Sequence, residues 1–219
     1  KKRTGKRLAI LTNGAGLGAL AAGGLVQLGG TAAVITPDIK EKLGLILPPA
    51  WSGSNPVDVG GEADAARYTA ALDILLADTA CDAVLVLNVQ SAMTNSREIA
   101  EEVIRTVVAD RTRRRTGAKP VLTVWVGADD DVSRMFAEAE IAYYSTEDDA
   151  VRGFMHLVRH GEAVESLTAV PPSLSQEFTP DVAAAKQVIE IALSEGRAWL
   201  DPIEVKRVLD AYQIAMVET

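Results

Sequence analysis

Apolar residues gather along the chain in short unbroken runs, separated by longer stretches that are apolar only at intervals. The runs RLAILTN (Arg7–Asn13), CDAVLVLNV (Cys81–Val89) and KPVLTVWVG (Lys119–Gly127) are short and rich in β-branched side chains. A shorter run, TAAVI, follows Gly30, and IAYYS begins at Ile141. Continuous apolar runs of this length suit strands buried on both faces, as in parallel sheets. Between them lie helical periodicities over Leu17–Leu28, Ala63–Leu76, Ser96–Asp110, Val132–Glu140 and Glu147–His160. Strand and helix alternate, which predicts an α/β protein: an open, doubly wound parallel sheet with helices on both faces.

The pattern changes after Leu167. TAVPPSLSQEFTP (Thr168–Pro180) is proline-rich and has no periodicity, and reads as a linker. Asp181 and Gly196 then bracket a helix as N-cap and C-cap, and Asp201–Pro202 opens another, since proline at the first helical position has no needed amide to lose. The last residues, IAMVET, read as a strand just beginning, at the threshold of a further domain. The organisation expected is 1–167 as one domain, 168–180 as linker and 181–219 as a helical lead-in.

The 219 residues are 48% hydrophobic, enough for one sizeable core. Lys and Arg number 22 against 30 Asp and Glu, a net charge of −8, which argues against nucleic acid or an anionic membrane as the partner. One basic run, RTRRRTGAK (Arg111–Lys119), reads as a solvated helix end. The single cysteine, Cys81, excludes an internal disulfide and a cysteine-rich zinc site, and suits a reducing cytoplasm. No apolar stretch approaches the length of a membrane span.

Candidate chemistry centres on TNGAGLGALAAGGLVQLGG (Thr12–Gly30), seven glycines in nineteen residues between a strand and a helix. Its G-x-G-x-G spacing departs from the dinucleotide fingerprint, and Asp38, near where a ribose-binding acid is needed, follows Pro37 as if in a helix's first turn. Two readings of Gly14, Gly16 and Gly18 stay open: tight helix–sheet packing, or close approach of main-chain amides to a ligand at a helix amino end. The polar loop with Asn55, Pro56 and Asp58 ahead of a glycine pair is a second candidate. The third is QSAMTNS (Gln90–Ser96), which leaves a strand's carboxyl end and starts a helix, where open α/β sheets bind ligands; ordinary capping by Asn95 or Ser96 explains it equally. Asp129–Asp131 suit either a magnesium ion or complementation of a helix dipole, and His156 and His160 share a helix without a third ligand. No Ser–His–Asp or Cys–His set and no Walker loop can be assembled.

Several stretches in order, LAILTNGAGLGALAAGGLVQLGG, LILPPAWSGSNPVDV, KPVLTVWVG and STEDDAVRGFMHLVRHGE, resemble the flavodoxin-like ligase domain of the succinyl-CoA synthetase β subunit. The resemblance is closer to that domain in NDP-forming acyl-CoA synthetases, including bacterial proteins that fuse it to a protein-lysine acetyltransferase domain. The tail DPIEVKRVLDAYQIAMVET is similar to the family's approach to an ATP-grasp domain, with AYQIAMV where the family has AYGIPV.

The resemblance implies a flavodoxin-like fold and a part in the reaction of acyl-CoA, phosphate and NDP to acid, CoA and NTP. That reaction runs through an acyl phosphate and a phosphohistidine on another domain, which neither His156 nor His160 matches. It implies phosphate binding by Gln90, Ser91, Ala92, Met93, Thr94, Asn95 and Ser96, and carboxylate or ligand binding by Asn13, Gly14, Ala15, Gly16, Asn55 and Asp58. No side chain of this chain is then catalytic. ATP or ADP, magnesium and CoA belong to the parent protein, and the partners are its CoA-binding, histidine-bearing and ATP-grasp domains, with a homo-oligomer as an option. QSAMTNS differs from the loop of succinate enzymes, which speaks against succinate. Relatives fused to an acetyltransferase can use the same unit only to sense a ligand.

Overall fold

Three consecutive parallel strands carry almost every fully buried aliphatic side chain of the sheet. They are β1 (Arg7–Thr12), β4 (Ala83–Val89) and β5 (Val121–Val126). The computed structural model describes residues 5–114, 116–168 and 179–216. Around these strands the chain adds α1 (Ala15–Gln27), β2 (Thr31–Ala32), α2 (Pro37–Gly44), β3 (Val57–Asp58), α3 (Ala65–Ala77), α4 (Ser96–Arg114), α5 (Asp130–Glu138), β6 (Ala142–Tyr144) and α6 (Glu147–Thr168). The sheet order is β2-β1-β4-β5-β6, every pairing is parallel, and β3 pairs with β1 off the main path. This is the doubly wound, flavodoxin-like α/β fold.

Alternation along the strands builds two cores. Leu8, Ile10, Leu85, Leu87, Leu122 and Val124 face α1 and α6, where Ala21, Leu25, Phe154 and Val158 close over them. Ala9, Leu11, Val84, Val86, Val121 and Trp125 face α2 to α5, with Leu43, Tyr68, Leu72, Val103 and Phe136. Apart from the buried Thr12, Asn88 and Thr123, both faces of these strands are apolar, which is why they read as apolar runs.

One edge of β1 is shared. β2 pairs with Arg7 and Leu8, and β3 with Leu11 and Thr12, leaving the middle of that edge without a strand. Asn55 fills the gap. Its Oδ1 accepts from the Ile10 amide at 2.9 Å, and its Nδ2 donates to the carbonyls of Leu8 at 2.8 Å and Ala33 at 3.2 Å. The strand expected over TAAVI is therefore only two residues long. Beyond Ala33 its place on β1 is taken by a side chain.

The basic run, expected as a solvated helix end, keeps Arg113 exposed but binds Arg111, Arg114 and Lys119 to main-chain carbonyls. Arg111 donates to the carbonyls of Ala139 and Glu140, Arg114 to that of Leu76, and Lys119 to those of Leu75 and Asp78. These cations meet the last turns of α3 and α5, where the helix dipole is negative. Arg113 and Arg114 also hold the buried carboxylate of Asp110.

The chain divides into compact units at 1–168 and 169–219. The second contains α7 (Val182–Ser194) and α8 (Pro202–Ala211), which pack on each other. Asp181 caps α7 by accepting from the Ala184 amide, and Asp201 and Glu204 form a reciprocal capping box on α8. Ile214–Met216 form no strand, and the rest of the expected terminal strand lies outside the described residues, as does most of the expected linker. Among the described residues no helix is long and apolar enough to cross a membrane.

Candidate functional site

The chain leaves β1 toward β2 on one side and returns to β4 on the other, so the sheet's switch point lies between β1 and β4. Two loops part there. Asn13–Gly14 leads to α1 on one face, and Gln90–Asn95 leads to α4 on the other. A crevice at strand carboxyl ends, flanked by two helix amino ends, is where such sheets take anionic ligands.

Asn13 bridges the start of the crevice with its side chain. Nδ2 donates to the Val89 carbonyl at 2.9 Å and Oδ1 accepts from the Val89 amide at 2.8 Å. Its carboxamide is thus committed to the strands. Thr12 Oγ1 accepts from the Gly14 amide and donates to the Gly14 carbonyl, holding the turn tight. Gly14, the N-cap of α1, supplies no side-chain acceptor, and the first turn has no acidic residue. The helix opens with uncapped amides.

The glycines of this turn divide by the space around them. A Cβ on Gly14 would stand 2.9 Å from Val89 Cγ2, and one on Gly18 would stand 2.9 Å from Thr12 Cγ2 and 3.1 Å from Pro56 Cβ. Both are packing glycines. A Cβ on Gly16 would meet nothing within 4 Å. Packing gives no reason for its bare backbone, whereas Ala15 and Gly16, both exposed, offer unobstructed amides.

The loop after β4 is anchored from several sides. The Gln90 amide donates to the Val126 carbonyl, Ser91 Oγ donates to the Gly61 carbonyl at 3.3 Å, and the Met93 amide donates to Ser91 Oγ. Asp58 lies one loop away, where its Oδ1 accepts from the Gly60 amide. Asn95 is the N-cap residue, with Oδ1 accepting from the amides of Arg97 and Glu98 at 3.1 and 3.2 Å. Those two amides are therefore occupied. Among the described residues, the amides of Ala92, Asn95 and Ser96 have no acceptor. Thr94 Oγ1 is buried without a partner.

Beneath the loop lies a buried polar chain that the sequence patterns did not reveal. Ser96 Oγ donates to Asn88 Oδ1 at 2.9 Å, Asn88 Nδ2 to the Tyr68 hydroxyl at 3.2 Å, and that hydroxyl to the Leu87 carbonyl at 2.9 Å. Trp125 Nε1 donates to the Ser96 carbonyl at 3.0 Å. Burial pushes the Tyr68 hydroxyl well above the usual tyrosine range, so it stays protonated. The one visible signal was Asn88, a polar residue inside the apolar run LVLNV.

The structure thus brings together Asn13–Gly16, Asp58 and Gln90–Ser96, and turns Asn55 away into the sheet. Asn13 and Ser96 present main chain, because their side chains face the strands. Asp38 is not at the glycine turn. It sits in the first turn of α2, paired with Lys42, in a cleft shared with Asp73 and Asp78 near the end of α3, so it does not serve as a ribose-binding acid for the glycine turn. Asp131 pairs with Arg97 and Arg134, and His156 and His160 are exposed on α6. No group of three or more His, Cys, Asp or Glu able to hold a metal occurs among the described residues.

The model of the Ligase-CoA domain matches residues 8–154, the whole of this sheet and both loops. The chain belongs to the ligase-CoA domain family. Relatives include 4-hydroxybutyrate--CoA ligase [ADP-forming] of Nitrosopumilus maritimus, 27% identical over 81% of this chain. Acetate--CoA ligase [ADP-forming] I of Archaeoglobus fulgidus is 36% identical over 48% of it. The matches take in 24% and 15% of those proteins' lengths, so this ligase-CoA domain corresponds to one part of them. The fold also matches Ca. Korarchaeum cryptofilum dinucleotide forming acetyl-coenzyme A synthetase 1 in complex with phosphate and ADP. There the TM-score is 0.66 at 24% identity, over 77% of this chain and 36% of that one.

Proposed function

We propose that this ligase-CoA domain is one part of an ADP-forming acyl-CoA synthetase, and that the crevice between β1 and β4 binds its anions through main-chain amides. Phosphate, or the phosphoryl group in transfer, sits at the Gln90–Ser96 loop. The carboxylate of the acid sits at Asn13–Gly16. The observation that carries this reading is the pair of helix amino ends opening at one switch point, with α1 uncapped and the amides of Asn95 and Ser96 free. The relatives' names support the reaction class.

The chemistry follows from the donor set. A phosphoryl group passing between acyl phosphate and a phosphohistidine carries charge on its equatorial oxygens, and the protein's task is to place and stabilise that charge. Fixed amides at a helix start do this with little reorganisation. On this reading ATP or ADP, magnesium and CoA are handled by the ATP-grasp and CoA-binding parts of the parent, and the reactive histidine comes from a third. The carboxylate of the acid is held by the Ala15 and Gly16 amides without a cationic side chain.

The test is an amide-resolved NMR titration of this chain with sodium phosphate and, separately, sodium acetate, against sodium chloride at matched ionic strength. Phosphate is expected to shift amides within Ser91–Ser96, and acetate those of Ala15 and Gly16. Shifts equal to those in chloride would sink the reading.

A further inference from the structure

Ser96 is held at two points by groups that touch no part of the open crevice. Its hydroxyl is fixed to β4 through Asn88 and its carbonyl to β5 through Trp125. All four residues are buried: Tyr68 and Asn88 are 0% exposed, Trp125 3% and Ser96 7%. The direction of the chain is set from its far end. The Tyr68 hydroxyl gives its proton to the Leu87 carbonyl, so its oxygen acts as an acceptor toward Asn88 and toward the main-chain amide of Asn13. This turns the Asn88 amino group toward Tyr68 and its carbonyl oxygen toward Ser96, which must then donate. Trp125 is fixed in turn by Phe136, with ring centroids 4.8 Å apart.

The consequence is geometric. A serine at the first position of a helix is ordinarily free to turn its hydroxyl toward a ligand. Here the hydroxyl points inward and the carbonyl that follows is tied to β5, so the α-carbon of Ser96 is held from both sides, while its amide, in the preceding peptide, has no acceptor among the described residues. In a low-dielectric interior a completed chain of this kind is rigid, and breaking one link leaves the others unpaired.

We propose that Tyr68 and Asn88 are positioning residues for the anion site, acting through Ser96 to fix the direction of the first amides of α4. This rests on the proposed function of the Gln90–Ser96 loop. Tyr68 contributes one oxygen atom, at the far end of the chain from the loop. Replacing it by phenylalanine keeps the ring and the packing but removes both the donor to Leu87 and the acceptor for Asn88. Asn88 is then free to rotate its amide, and Ser96 loses its fixed acceptor.

The experiment titrates sodium phosphate into the wild-type chain and into Tyr68→Phe and Ser96→Ala, reading amide shifts of Ser91–Glu98. Sodium acetate at Ala15 and Gly16 serves as the internal reference. Phosphate affinity is expected to fall about tenfold in both variants, the scale of coupling within one hydrogen-bonded network, while the acetate response of Ser96→Ala, which leaves Tyr68 and Asn13 intact, is unchanged. A purely structural role predicts lower stability with both anions bound as before, and that result overturns the proposal. Ser96→Ala carries the test if Tyr68→Phe does not fold. A wild-type chain with no phosphate-specific shift removes the proposed function, and this proposal with it. A wild-type chain that binds phosphate beside variants that bind it equally well removes this proposal alone.

Discussion

Asn13 and Val89 are joined as residues of paired strands are, but through a side chain. The carboxamide of Asn13 exchanges two hydrogen bonds, at 2.9 and 2.8 Å, with the carbonyl and amide of Val89. The β1–β4 ladder ends at Thr12 and Leu87, so this bridge prolongs the pairing after the two main chains have begun to part. It holds the loops together at their root while letting α1 and α4 leave on opposite faces.

Replacing Asn13 by alanine leaves a nearly buried donor and acceptor of Val89 to find water or go unpaired. The expected cost is about 1–3 kcal/mol of unfolding free energy, read by urea denaturation. Asn13→Asp is expected to be worse at neutral pH, since a carboxylate presents only acceptors to the Val89 carbonyl. An Asp variant as stable as wild type would contradict the bridge.

Asn55 makes a larger prediction. Three main-chain groups on β1 and after β2 depend on it, and the Ile10 amide lies in a strand where every residue from Leu8 to Leu11 is 0% exposed. Asn55→Ala should cost about 2–4 kcal/mol, the sum of lost bonds and one stranded donor. Hydrogen exchange gives the decisive signature. Protection of the Ile10 amide should collapse selectively, while Leu85 and Leu122 at the centre of the sheet fall only with global stability.

These two asparagines show what the chain's pattern could and could not disclose. β1, β4 and β5 were legible because both faces of each are apolar, and a run such as AVLVLNV has few other uses. β3 was not. Val57 and Asp58 sit in a polar loop, and only their pairing with Leu11 and Thr12 makes them a strand. The loops of the site were legible from glycine spacing and from their place between strand and helix. What held them was not, because Asn13, Asn55 and the Tyr68–Asn88–Ser96 chain act across tens of residues, and no local periodicity records a side chain that substitutes for a strand. Asn55 and Asp58 looked equivalent in sequence, both polar in one loop. The sheet edge separates them, bonding the side chain of the first to β1 and leaving that of the second on the Gly60 amide.

The glycines of the opening turn should separate stability from binding. Gly16→Ala replaces the poorest ordinary helix former in open space, so stability should rise or hold, by up to about 1 kcal/mol. Its new methyl would crowd the approach to the Ala15 and Gly16 amides, and acetate shifts there should weaken. Gly18→Ala drives a methyl to 2.9 Å from Thr12 Cγ2 and 3.1 Å from Pro56, with an expected net cost of about 1–3 kcal/mol. Thermal melts and acetate titrations of the two variants should rank in opposite orders. The same order in both assays would return Gly16 to a packing role.

At the opposite end of the β1–β4 pair, Arg7 clasps Asp82. Arg7 donates from its main-chain amide and from Nε to Oδ2, at 3.0 and 2.9 Å, and from its terminal nitrogen to Oδ1 at 2.7 Å. The guanidinium holds the Asp82 carboxyl below the usual aspartate range. A carboxyl whose folded value is depressed stabilises the fold above its unfolded value, about 3.9, and loses that contribution as pH falls through the folded value. The clasp should therefore be at full strength at neutral pH and fade only below about pH 4. Because Arg7 is half exposed and screened, its worth is about 1 kcal/mol. Asp82→Asn mimics the protonated acid. Urea denaturation of wild type and variant should thus differ by about 1 kcal/mol at pH 7 and converge as pH falls through the depressed folded value. A difference that persists unchanged into acid would assign the effect to packing at the start of β4 and not to charge.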